Sequence, residues 1–106
     1  MDALKLSLRH DVSPPILSIE GDIDMATADA LRAALEDALA DTPELVVDLQ
    51  GVTFLDASGI RVFLGAAARR NGTGPLRFVH ARRLEWLLEA AGLHGITTIE
   101  ILDEGA

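Results

Sequence analysis

The residues with the richest chemistry in this chain lie in "FLDASGI" at 54–60, where Ser58 stands two positions after Asp56 and between Ala57 and Gly59. A serine hydroxyl in this setting can attack a substrate, cap a helix or accept a covalent group. Attack by a hydrolase-type serine asks for G-x-S-x-G at a sharp strand-to-helix turn, and here Asp56 and Ile60 hold the outer positions. Neither His80 nor His94 lends local support as a general base. Capping is the stronger reading: a serine just before a helix accepts from an exposed N–H two or three residues on, worth about 0.5–2 kcal/mol against alanine. The small neighbours add something that capping does not require, an accessible hydroxyl, and accessibility suits covalent modification. A phosphate there would face the positive end of a helix dipole and be opposed by Asp56, and by Asp24 if the two strand ends are adjacent. It would add roughly 1.5–2 negative charges to the surface.

Other chemistries lack their constellations. His10, His80 and His94 are isolated, with no H-E-x-x-H or similar ligand spacing, so no metal site is expected. Asp22 and Asp24 are two apart, but alternate residues at a strand end point to opposite faces, which makes Asp24 a cap in preference to a ligand. There is no G-x-x-x-x-G-K-[ST] loop, and "GTGP" (72–75) lacks the strand-to-helix context of a dinucleotide fingerprint. No cofactor is expected. Cysteine is absent, which removes disulfides, thiolate metal sites and cysteine nucleophiles together.

The elements that must position Ser58 follow from the patterning. "LKLSLR" (4–9) and "PILSIEG" (15–21) alternate with period two and are joined by a short turn-prone stretch, as in an antiparallel hairpin. From Asp24 to Asp41 the period becomes helical, with Leu31, Leu35 and Leu39 beside Ala28, Ala34 and Ala38, and Asp24 or Thr27 as the cap. "ELVVDLQGVTFLD" (44–56) reads as an apolar strand, buried on both faces, with a turn at Gln50–Gly51. Residues 58–70 read as a helix with Ile60, Phe63, Leu64 and Ala67 facing the core, ended by "RNGTGP". "LRFVH" (76–80) is a strand. A third helix follows, with Leu84, Leu87, Leu88 and Ala91 on one stripe, Trp86 near it and Gly92 as its left-handed cap, and then a last strand at "ITTIEIL" (96–102). The order β-β-α-β-α-β-α-β predicts an α/β fold: a mixed, mostly parallel sheet of about five strands with crossover helices. Ser58 then falls at the C-terminal end of a parallel strand, where functional groups of open α/β sheets gather.

Composition bounds the function. The 106 residues predict a single domain, and 49% hydrophobic against 25% charged residues is globular composition. The net charge of −8 repels phosphate backbones and anionic lipid, so nucleic acid is not an expected partner. The cluster of Arg69, Arg70, Arg77, Arg82 and Arg83 reads as a solvated face. "MDALKLSLRH" lacks a secretory apolar core and no window approaches a membrane span, which predicts a cytoplasmic protein.

Two segments, "GDIDMATADALRAAL" (21–35) and "DLQGVTFLDASGIRVFL" (48–64), resemble the STAS domain, in particular the bacterial anti-sigma factor antagonists of partner-switching pathways. The likeness spans nearly the whole chain and implies one STAS domain over 1–106. In that family an apolar strand and a tight turn lead into Asp-Ser-Ser-Gly or a close variant that opens a helix. The resemblance implies that Ser58 is the phosphoacceptor, and that Asp24, Asp56, Ala57, Ser58, Gly59 and Arg61 belong to the partner-binding region. It implies a non-enzymatic protein that, unmodified, binds an anti-sigma factor which is also an ATP- and Mg²⁺-dependent serine kinase, and so frees a sigma factor for transcription. Phosphorylation ends the binding and a phosphatase restores it. An alternative within the family is an accessory subunit of a transporter or lipid-handling complex, in which the serine need not be phosphorylated. Two positions depart from the pattern. Ala57 replaces the first serine of the pair, which leaves Ser58 as the single acceptor, and Arg61 stands where a small residue, often glycine, is usual. On the first turn of the helix, Arg61 would either meet the partner surface or pair with a phosphate.

Overall fold

The computed structural model describes residues 4–40, 42, 44–68, 76–80 and 99–101. Within them the chain runs β1 (Lys5–Arg9), β2 (Ile16–Ile23), α1 (Ala28–Ala40), β3 (Leu45–Leu55), α2 (Ala57–Ala68), β4 (Leu76–Val79) and β5 (Ile99–Ile101). The strands form one five-stranded sheet in the order β1-β2-β3-β4-β5. The hairpin β1–β2 is antiparallel and the other three pairings are parallel, the mixed α/β sheet that the patterning predicts. The expected third helix with Trp86, the arginines at 69, 70, 82 and 83, and His94 lie outside the described residues.

Both described helices lie on one face of the sheet. α1 touches β1 and β2, α2 touches β3, and the helices touch each other. The 3.6-residue period decides which side chains turn inward: Ala28, Leu31, Leu35 and Ala38 from α1, and Ile60, Val62 and Phe63 from α2, are buried. Each large side chain so covered contributes about 1.5–3 kcal/mol relative to exposure. Phe63 of α2 meets Phe78 of β4 edge to face, with ring centroids 4.9 Å apart and planes at 79°, the arrangement that the ring quadrupoles favour.

This layering corrects the expectation that the central strand is buried on both faces. In β3, Leu45, Val47 and Leu49 are buried while Val46 and Asp48 between them are half-buried and Gln50 is exposed. The fully buried residues face the helix side, because α1 and α2 cover that side, and the opposite face carries Val46 with Ser18, Glu20 and Asp48. A second correction concerns Gln50–Gly51, where no turn forms. Ser18 pairs with Asp48 but Glu20 with Gly51, and Gly21 pairs with Val52 but Asp22 with Phe54. In each interval β3 carries one residue more than β2, so the strand bulges twice and runs on to Leu55. The inward set shifts phase accordingly, from Leu45, Val47 and Leu49 to Val52 and Leu55. At the first bulge a Cβ on Gly51 would lie 2.6 Å from Glu20 Cγ and 3.2 Å from the Ile19 carbonyl oxygen, closer than ordinary contact allows.

Candidate functional site

β2 and β3 end side by side. Ile23 pairs with Leu55, and the Asp56 N–H donates to the Ile23 carbonyl at 3.2 Å. Asp24 and Asp56, the residues that follow each strand end, are thereby brought together at the C-terminal edge of the sheet, 32 positions apart in sequence. The adjacency on which the sequence argument depended is present.

Each acid organises the start of a helix. At α1 the Asp24 carboxylate accepts from the N–H groups of Ala26 at 2.9 Å and Thr27 at 3.2 Å. The Thr27 hydroxyl accepts from the Asp24 N–H at 3.0 Å and donates to the Asp22 carbonyl at 2.8 Å, while the Thr27 carbonyl accepts the first helical bond from Leu31. The two residues considered as alternative caps therefore share the work: Asp24 closes the turn and Thr27 begins the helix. At α2 the assignment differs from the expectation. Asp56 is the cap: its carboxylate accepts from the Ser58 N–H at 2.8 Å and its carbonyl from the Ile60 N–H at 3.2 Å. Ser58 sits inside the helix, two residues past the cap. The reason is chain geometry, since β3 runs unbroken to Leu55 and the first non-helical residue available to cap is Asp56.

With the cap role taken by Asp56, the Ser58 hydroxyl has no hydrogen-bond partner among the described residues. Ser58 is half-buried and Ala57 before it is exposed. Gly59 holds α2 against the strand ends: a Cβ there would overlap Ile23 Cγ2 and Leu55 Cδ1. Its role is close approach of helix to sheet, which fixes where Ser58 stands. Arg61 is exposed on the next turn and rims a groove of 290 Å³ between α1 and α2, lined also by Arg32, Leu35, Leu39 and Val62. All six predicted site residues thus lie at one end of the molecule, on the β2 and β3 termini and the first turns of α2.

The carboxylate of Asp22, the other acid of "GDID", accepts from the Thr53 hydroxyl at 2.6 Å across the strands, while only its backbone carbonyl takes part in the Asp24 turn. No group of three or more acids and histidines suited to a metal ion occurs among the described residues. Met25, within the turn that Asp24 closes, is 81% exposed, a feature to which the sequence analysis assigned no role. The available signal was its place inside a capping turn, ahead of the apolar stripe of α1.

The serine–histidine alternative fails on topology for both described histidines. His80 follows Val79, which pairs with Asp48, so about six residues of strand, roughly 20 Å, separate it from the end that carries Ser58. His10 follows Arg9, which pairs with Ile16 at the start of β2, the end remote from Ile23.

Residues 6–102 match the family model described as "Mlab, STAS domain". The chain is 36% identical over 72 residues to the anti-sigma-F factor antagonist RsfB of Mycobacterium tuberculosis, an alignment covering 67% of this chain and 58% of that protein. The match therefore leaves more than a third of that relative's length without a counterpart. Among solved structures, an anti-sigma factor antagonist from Mycobacterium paratuberculosis superposes with a TM-score of 0.78 at 25% identity, covering 92% of this chain and 86% of the other. The anti-sigma factor antagonist SpoIIAA shares the fold in its unphosphorylated form, with a TM-score of 0.67 at 14% identity over 95% of this chain and 90% of that one. The phosphorylated Bacillus SpoIIAA gives 0.68 at 15% identity over 94% and 93%.

Proposed function

The chain belongs to the STAS domain family, and from that premise we propose that it is an anti-sigma factor antagonist switched by phosphorylation of Ser58. Unmodified, it binds an anti-sigma factor that is also a serine kinase, and a sigma factor is released. The observation that carries the reading is the unpartnered Ser58 hydroxyl on the first turn of α2, at a strand end shared with Asp24. Relatives named as anti-sigma factor antagonists, one of them 36% identical, support it.

In the transfer step, Ser58 Oγ forms a bond to the γ-phosphorus of ATP held by the kinase. The bond from that phosphorus to the β,γ-bridging oxygen breaks, ADP leaves, and the hydroxyl proton passes to a base on the kinase. A phosphatase reverses the outcome with water, releasing inorganic phosphate. The added charge of roughly 1.5–2 units stands beside Asp24 and Asp56 and deepens the negative field of this end, while its bulk occupies the surface on which the partner docks. The chain acts as binding module and substrate; the kinase supplies the catalysis.

The test is mass spectrometry after incubation with the cognate kinase and ATP: phosphate confined to Ser58 is expected, and phosphate elsewhere or none at all would sink the switch. Ser58→Ala should retain the partner and Ser58→Asp should lose it. Aspartate near a helix start is tolerated, so that loss would not reflect unfolding. Equal binding by both variants, or co-purification with a membrane ATPase instead of a soluble kinase, would favour the transporter-subunit alternative.

A further inference from the structure

We infer that Arg61 is the counter-charge to a phosphate on Ser58, holding the modified side chain back along α2. The inference rests on the Ser58 reading above. Ser58 and Arg61 are three residues apart in one helix, so they share a face with Cβ atoms about 5–6 Å apart, within easy reach of a guanidinium and a phosphate. The usual recipient of such a phosphate, the Ser58 N–H, is already bonded to Asp56 at 2.8 Å. The Ala57 and Gly59 N–H groups still face this terminus, and a cation farther along α2 would add to them as a partner for the phosphate.

Arg61 is the cation placed to meet it. Arg9 holds Asp11 at 3.1 Å, Arg32 holds Asp29 at 2.6 Å and Arg77 holds Glu44 at 2.6 Å. Arg61 is exposed and has no hydrogen bond or ion pair among the described residues. Arg32, which shares the groove with it, is engaged within its own helix, so Arg61 can turn to Ser58 without breaking an existing pair. Guanidinium and phosphate match in a planar, two-point geometry. Asp56 and Asp24 oppose the phosphate; on α1 the Asp29–Arg32 pair is internally neutral, while the Glu36 carboxylate lines the same groove as Arg61 and competes with the phosphate for the guanidinium. The consequence is an off state in which part of the new charge is cancelled within the chain and the remainder, with the bulk of the phosphate, acts on the partner.

The experiment uses the full chain with phosphoserine installed at 58 during synthesis, which needs no kinase. Phosphorus NMR follows the second ionisation of the phosphate in this chain and in its Arg61→Gln and Arg61→Lys variants. Loss of the guanidinium should raise the midpoint by roughly 0.3–0.7 pH units, the size an exposed ion pair supports, and lysine should restore most of the difference. In ~1 M salt the three midpoints should converge. Coincident midpoints at low salt would overturn the inference while leaving the switch intact. Failure of the kinase to modify the unphosphorylated chain would overturn the switch while leaving the Arg61 titration to stand on its own. Glutamine and lysine are both good helix formers, so matching circular dichroism spectra of the unphosphorylated variants are expected.

Discussion

The Asp56 carboxylate accepts the Ser58 backbone N–H at 2.8 Å. One bond thus separates two roles that the sequence placed on a single residue: the acid caps α2, and the serine keeps its hydroxyl free for chemistry. Under the proposed switch, a modifying enzyme would meet a side chain whose loss of a proton or gain of a phosphate does not uncap the helix.

Removing the cap should therefore cost stability that removing the serine does not. Asp56→Ala is expected to lose about 0.5–2 kcal/mol in urea unfolding, and Asp56→Asn most of that less, because the amide oxygen can still accept. Ser58→Ala should unfold at nearly the parent urea concentration. A large loss for Ser58→Ala would mean that the hydroxyl carries structure after all.

The two described glycines of α2 should respond oppositely to alanine. At Gly59 the new methyl would collide with Ile23 and Leu55, and overpacking of this kind costs about 1–3 kcal/mol. At Gly65 nothing lies within 4 Å of the added carbon, and glycine in a helix interior is roughly 0.5–1 kcal/mol worse than alanine. Thermal melts should move down for Gly59→Ala and up for Gly65→Ala.

Met25 provides a test of the proposed docking end that does not touch the serine. Its side chain is 81% exposed, so Met25→Ala should leave the melting temperature unchanged. If the partner docks on the Asp24 turn, calorimetry with the proposed anti-sigma kinase should show affinity falling by about fivefold or more, the loss expected on truncating an interface residue that costs over ~1 kcal/mol. Unaltered affinity would place the interface elsewhere on the edge.

The exposed Arg9–Asp11 pair gives a pH prediction far from the site. Hydrogen bonding and charge attraction from Arg9 hold the Asp11 carboxyl below its ordinary value. With the folded value depressed, the stabilisation is present above the ordinary carboxylate range and disappears as pH falls through the folded value. Carbon NMR should show Asp11 titrating lower in the parent than in Arg9→Gln, with the gap closing at high salt.

Much of this molecule was legible in sequence because it depends on local period. The alternation in "LKLSLR" and "PILSIEG", the helical spacing of Leu31 and Leu35, and the switch from strand to helix around Asp56 all reappear as β1, β2, α1 and the start of α2. The burial of β3 was misread because an apolar run looks the same whether one or two layers cover it. Only the side on which α1 and α2 pack makes Val46 half-buried while Val47 beside it is fully covered. The double bulge left an ambiguous trace, since Gln50–Gly51 is also good turn chemistry, and the choice depends on the pairing of Gly51 with Glu20, far earlier in the chain.

The site divides along the same line. Sequence alone determined that an acid, a small residue, a serine and a glycine would stand where an apolar strand gives way to a helix, because residue type and spacing are written in one continuous stretch. Tertiary structure decided which of them caps, since that depends on where β3 stops pairing with β2. It also brought Asp24 beside Asp56 and seated Gly59 against Ile23, juxtapositions that arise from parallel pairing of strands far apart in the chain, where no local signal reaches.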